Sequence, residues 1–216
     1  GGTPVSKKEK VYWIWMQQIF GAGSPKPRQV LSAFKSAKNF YEAGEQEWKL
    51  SGIFTQRNLQ KMRTYSLEQA EELLQKSEMA GQWVITPSDP DYPELLKHIY
   101  NPPCVIYGKG QLPNVDEWPS IAMVGTRNAT LSGRKIAFRF ACELSKMGAV
   151  IISGGARGID AACHKGALQS GGKTICVLGC GLECRYLMEY ASMRRAIMEN
   201  GAVISEVPLN TPPGKT

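Results

Sequence analysis

The residues best placed to do chemistry are two arginines, Arg127 and Arg157, each standing in a glycine-containing turn that follows an apolar run. The first run, Ile121-Ala122-Met123-Val124, empties into Gly125-Thr126-Arg127-Asn128-Ala129-Thr130. The second, Val150-Ile151-Ile152, empties into Ser153-Gly154-Gly155-Ala156-Arg157-Gly158-Ile159-Asp160. Both read as strand-to-helix junctions. In an open parallel sheet such junctions gather at the carboxyl ends of the strands, where free backbone N–H groups and helix N-termini favour anions. A guanidinium fork matches phosphate bidentately, and the hydroxyls of Thr126 and Thr130 add donors. Gly154, Gly155 and Gly158 would let backbone approach a bound anion, or would serve close packing of helix on strand. The chemistry expected is phosphate binding.

Other arrangements fall short of the chemistry they suggest. A dinucleotide fingerprint needs GxGxxG directly after a strand, but Arg127 stands where the second glycine belongs, and Gly179-Cys180-Gly181-Leu182-Glu183-Cys184 ends on Cys. Gly214-Lys215-Thr216 looks like the tail of a phosphate-binding loop, but position 209 is Leu where that motif requires Gly. Asp160, Cys163 and His164 share a helical face by their spacing. With no GxSxG and no HExxH beside them, they read as a dipole-stabilised Asp with a surface His behind it. The six cysteines, Cys104, Cys142, Cys163, Cys176, Cys180 and Cys184, lie in apolar patterns or lack a second pair at zinc spacing, and the chain has 2 histidines. They are expected to be structural thiols of a reducing cytosol, with no metal and no cofactor.

The elements that must position the arginines follow from periodicity. From Val11 to about Met79 apolar residues recur at three and four, with Ser66 and Gln69 forming a capping box for the last helix. This predicts a small all-helical domain, SAM- or helix-hairpin-helix-like, over residues 1–80. Its Gly21-to-Pro25 turn, with Lys26, Arg28, Lys35 and Lys38 beyond it, reads either as a hairpin donating N–H groups to a nucleic-acid phosphate or as an ordinary connector. Residues 81–216 change grammar. Runs at 83–86 and 103–107 extend a sheet whose further strands, 120–124, 149–153, 173–178 and 202–205, alternate with helices at 131–147, 158–170 and 188–199. That alternation predicts an α/β fold, an extended Rossmann-like parallel-type sheet with helices on both faces and right-handed crossovers.

Of the 216 residues, 26 are Lys or Arg and 19 Asp or Glu, and the net charge of +7 is uneven. Residues 117–216 hold 12 cations against 7 anions, so the excess sits with the glycine turns. No apolar run approaches the ~20 residues that span a bilayer. A cytoplasmic protein is expected.

The ordered set of these motifs resembles the DNA-processing protein A family (DprA, also called Smf). The resemblance rests on Val124-Gly125-Thr126-Arg127 with Thr130 and Gly133-Arg134, and on Ser153 to Ala162 with His164 and Gly166-Ala167-Leu168. Val177-Leu178-Gly179-Cys180-Gly181-Leu182, Ser205-Glu206-Val207-Pro208 with Pro212-Pro213, and the upstream Pro90-Asp91-Tyr92-Pro93 and Pro102-Pro103 segments complete it. It implies a non-catalytic protein that binds and protects single-stranded DNA and helps load RecA recombinase in natural transformation, acting as a homodimer. Carried over, Gly125, Thr126, Arg127 and Thr130 form a backbone-phosphate clamp, Gly154 through Gly158 (with Gly155 and Arg157) the second wall, and Lys173 an extension of the basic surface. A nucleotide phosphoribohydrolase of related fold would use the same crevice, but its PGGxGTxxE motif is absent.

Overall fold

The computed structural model describes residues 5–185 and 191–214. The first residues of the helix expected over 188–199, and Lys215 and Thr216 of the glycine–lysine–threonine tail, lie outside them. By contacts the chain divides into two compact units, Gly1–Ile106 and Tyr107–Thr216.

The first unit is built of helices whose ends are written in the sequence. Helix α1 (Lys7–Phe20) starts where the Ser6 hydroxyl accepts the Glu9 N–H, and stops at Gly21, whose positive φ of 83° an L side chain would resist. Helix α2 (Lys26–Phe34) has Pro27 in its first turn. Helix α3 (Ala37–Ser51) is capped by Ser36 and broken inside at Gly44. Helices α4 (Gln56–Thr64) and α5 (Leu67–Met79) open on reciprocal capping boxes, Thr55 with Asn58 and the expected Ser66 with Gln69. Their inward faces close on an aromatic core. Trp15 is fully buried against Phe40, Tyr41 and Trp48 at centroid distances of 5.0–6.0 Å. The indole N–H of Trp15 donates to Tyr65 O at 2.7 Å, and that of Trp48 to Phe40 O at 2.6 Å, so burial leaves neither donor unsatisfied.

Residues 81–106 belong to this unit. They carry β1 (Trp83–Ile85) and the short α6 (Glu94–Lys97). Lys10 donates to Val84 O at 2.7 Å and pairs with Asp89 at 3.2 Å, while the Trp13 N–H donates to Ser88 Oγ at 3.0 Å. Asp89 in turn accepts from the Thr86 N–H and hydroxyl at 2.8 and 2.9 Å.

The second unit is the mixed α/β part. It contains β2 (Ile106–Gly110), β3 (Ser120–Ala122), α7 (Leu131–Lys146), β4 (Val150–Gly154), α8 (Ile159–Gln169), β5 (Thr174–Leu178), α9 (Ala191–Glu199) and β6 (Gly201–Ser205). Its strands lie in the order β2-β6-β5-β4-β3. From β3 through β6 all pairs are parallel, as the β-α-β alternation requires. The strand expected over 103–107 sits three residues later and runs antiparallel to β6, with Tyr107 opposite Ser205. It precedes the first crossover, so the rule that fixes the other strands does not reach it. The register aligns Ser153, Cys176 and Val203 on one face of the sheet. There small residues let helices come close: Ala137 and Ala141 of α7, Ile151 of β4, and Ala162, Cys163 and Ala167 of α8 make one core cluster. Cys176, Ile197 and Val203 make another, with Leu168 and Met193 against it. On the opposite face Val150, Ile175 and Ala202 are buried, whereas Val177 is 42% exposed.

Candidate nucleic-acid interface

The turn after β3 begins while the chain still lies beside β4: Met123 N donates to Ile152 O at 2.9 Å, and Met123 O accepts the Ser153 hydroxyl at 2.6 Å. Thr126 Oγ1 then accepts the Asn128 N–H at 3.1 Å, and Thr130 caps α7 by accepting the Gly133 N–H at 3.0 Å. Both hydroxyls fix the turn through their lone pairs and keep a hydrogen to donate.

The turn after β4 is pressed against the first. Ile159 N donates to Thr126 O at 3.2 Å. Gly158 has φ +85°, and a Cβ there would fall 2.3 Å from Thr126 O and 2.7 Å from Arg127 O; a Cβ on Gly125 would fall 2.6 Å from the Ile159 side chain. At Gly154 the space is taken by Asp160 Oδ2 at 2.5 Å, and at Gly155 by Leu178 Cδ2 at 2.3 Å. Of the two roles open to these glycines, close packing is the one their surroundings display. Its effect is to bring the two arginines together: Arg157 Nη2 donates to Asn128 Oδ1 at 3.3 Å, one residue from Arg127.

Arg127 and Arg157 open onto one cavity of about 560 Å³, which runs from the turns along the seam between α7 and α8. Its other charged walls are Arg134, Lys135 and Arg139 of α7 and Lys165 of α8, with Phe138, Gly158, Ala161 and Ala162 completing the lining. All six cations are exposed, and no carboxylate is among the lining residues. Mutual repulsion and the missing counter-charge leave a positive potential that only an anion with several charges can satisfy at once. The helices meet closely here because a Cβ on Gly166 would fall 2.3 Å from Phe138 O, which places Lys165 beside the Phe138 turn of α7.

Arg134, Lys135, Phe138 and Arg139 were absent from the residues read as the site. Their signal is in the sequence: Arg134 with Phe138 and Lys135 with Arg139 are i, i+4 pairs on neighbouring stripes of one helix. What the sequence lacks is that Lys165, on the next helix, faces those stripes. Lys173 is not brought to the site. It precedes β5, at the amino ends of the strands, whereas Arg127 and Arg157 follow strands at their carboxyl ends. The cations around the Gly21-to-Pro25 turn are tied locally. Lys26 Nζ donates to Ile53 O, Lys35 to Ser32 O at 3.0 Å, Lys38 sits 3.9 Å from Glu42, and Arg28 lies 5.2 Å over the Tyr100 ring.

His164 requires a correction, for it is not a surface residue but fully buried. Its helical face packs inward on β4 and β5, where Nε2 meets Gly154 O at 2.9 Å and Nδ1 meets Thr174 Oγ1 at 2.8 Å. Burial pulls its pKa below the ordinary imidazole value, against the opposing Gly154 hydrogen bond and the charge of Asp160. Since a carbonyl can only accept, Nε2 carries a proton. Asp160 is in the first turn of α8, as expected. The cysteines are free, and burial pushes the Cys163 thiol up to about 11 and that of Cys176 to about 12, which keeps both protonated and inert.

Parallel strands ending in two locked turns, with a cationic cavity at the helix starts, define a Rossmann-like α/β domain. The chain belongs to the DNA recombination-mediator protein A family, whose model matches residues 83–216. It is 31% identical over 221 residues to Protein Smf of Synechocystis, covering 97% of this chain and 54% of that protein. It is 38% identical over 118 residues to DNA processing protein DprA of Streptococcus pneumoniae, covering 55% of this chain and 41% of that protein. The crystal structure of the S. pneumoniae DprA superposes with a TM-score of 0.75 at 25% identity, over 99% of this chain and 71% of that one. DprA of Helicobacter pylori, a structure described for its single-stranded DNA binding mode, superposes with a TM-score of 0.54 at 29% identity, over 62% of this chain and 59% of that one. The chain thus spans about half the length of the curated relatives it matches.

Proposed function

We propose that this chain binds single-stranded DNA through its phosphates and breaks no bond in it. The observation that carries the reading is the α7–α8 cavity: six cations, no carboxylate, and two arginines held at its mouth by interlocked turns. Arg127 and Arg157 grip phosphate oxygens through their guanidinium forks, with Gly125, Thr126 and Thr130 shaping the first turn and Gly154, Gly155 and Gly158 the second. None of the lining side chains is an imidazole, thiol, hydroxyl or carboxylate, which supports a binding role. The relatedness to a DprA described for single-stranded DNA binding supports the choice of polymer. With it we propose the family's wider role: delivery of the strand to RecA recombinase by a homodimer in the cytoplasm.

Titrating labelled oligo(dT) across a salt series tests the core of this. Log affinity is expected to fall linearly with log salt, and Arg127→Ala to weaken binding roughly tenfold or more while lowering the slope by about 0.7. A nucleoside monophosphate assay run beside it should release no base. Base release, or an Arg127→Ala variant with unchanged oligonucleotide affinity, rejects the reading.

A further inference from the structure

One wall of the cavity has no use in gripping phosphate. Phe138 lines it between Arg134, Lys135 and Arg139 of its own helix and Lys165 of the next. The cluster that joins α7 to β4 and α8 is made by Ala137, Ala141, Ile151, Ala162, Cys163 and Ala167, with Met123, Leu144 and Ile159 against it, and Phe138 is not part of it. Nor is the ring engaged otherwise: among the described residues no aromatic ring or cation stacks on it. A half-buried aromatic on the cavity wall, set among cations spaced along a helix by roughly 7.5 Å from Arg134 to Arg139, is what a chain of alternating anionic and planar aromatic units fits.

We propose that Phe138 is a base-stacking platform, and that the strand, having met the arginines at the turns, continues along the α7–α8 seam with its phosphates on Arg134, Lys135, Arg139 and Lys165. This rests on the single-strand reading and adds to it the determinant that separates unpaired DNA from other polyanions. A duplex presents the same phosphates but keeps its base faces covered, so it gains only the electrostatic part. Every base has a π-face, so the preference is for strandedness and not for sequence.

The test compares oligo(dT) with an abasic oligonucleotide of the same length, which keeps the phosphates and sugars and lacks the bases. The native protein should bind oligo(dT) on the order of tenfold more tightly than the abasic strand. Phe138→Leu should lose about that factor on oligo(dT) and nothing on the abasic strand, and Phe138→Trp should retain it. Equal affinity of the native protein for the two strands overturns the platform, whether or not Phe138→Leu folds. So does a Phe138→Leu loss of equal size on both, which would mark a structural role. Arg127→Ala unchanged on both strands would instead reject the phosphate clamp itself, so the two failures are separable.

Discussion

At the scale of single residues, the site is an arrangement in which neutral contacts aim charged ones. Gly125 and Gly158 act through packing. They matter because a Cβ at either would push apart the turns that converge Arg127 on Arg157. His164 plays a comparable part underneath, joining the end of β4 to the start of β5 through Gly154 and Thr174. Its burial also gives stability a pH dependence whose sign can be worked out. The folded-state pKa lies below the unfolded value of about 6.5, so the unfolded chain binds the extra proton between the two. The contribution is complete above about pH 6.5 and is lost as pH falls from there toward the folded value. Calorimetric melting from pH 8 to 5 should show the native protein losing stability over this window relative to His164→Asn, which is less stable throughout and flatter with pH. Parallel pH profiles for the two would show that the buried ring does not titrate with unfolding.

At the scale of elements, local signals and tertiary contacts divide the labour. The capping box of Ser66 and Gln69 and the glycine turn closing α1 were legible because each acts within four residues. Residues 81–106 read as a strand-rich lead-in to the sheet. Their burial against the helices through Lys10, Trp13 and Asp89 depends on partners more than seventy residues away, which no window of sequence contains. Hence a fragment ending at residue 80 and one ending at residue 106 should differ. We expect the shorter to be less stable by about 2–4 kcal/mol in urea melts followed by circular dichroism, having lost the hydrogen bonds of Lys10 and Trp13 and the apolar cover of β1. Coincident melts would mean that the helices close on themselves without the following segment.

At the scale of the whole molecule, no helix among the described residues is long and apolar enough to cross a membrane, and one edge of the second unit carries a group of exposed apolar side chains. Strand β3 ends the strand order, and around it Val124 is 77%, Phe140 60% and Met147 81% exposed. An uncovered strand edge beside exposed apolar side chains is a template for pairing with other chains. Sedimentation velocity should therefore show association that grows with concentration and is relieved by Phe140→Lys together with Met147→Lys, at little cost in monomer stability. A native protein that stays a single small species at every concentration would contradict this.

By itself the sequence determined the class of fold, the family and the two arginine turns, because these rest on short-range periodicity and on motifs that act through their own backbone. Tertiary structure decided which cations line one cavity. It sends Lys173, by the strand direction, to the opposite end of the sheet, and the close approach of α8 to α7 at Gly166 brings Lys165 and Phe138 to one cavity. The physical reason is range. A helix fixes its own stripes within a few residues, whereas which stripe meets which is settled by side-chain volume across a packed seam, and spacing along the chain does not record it.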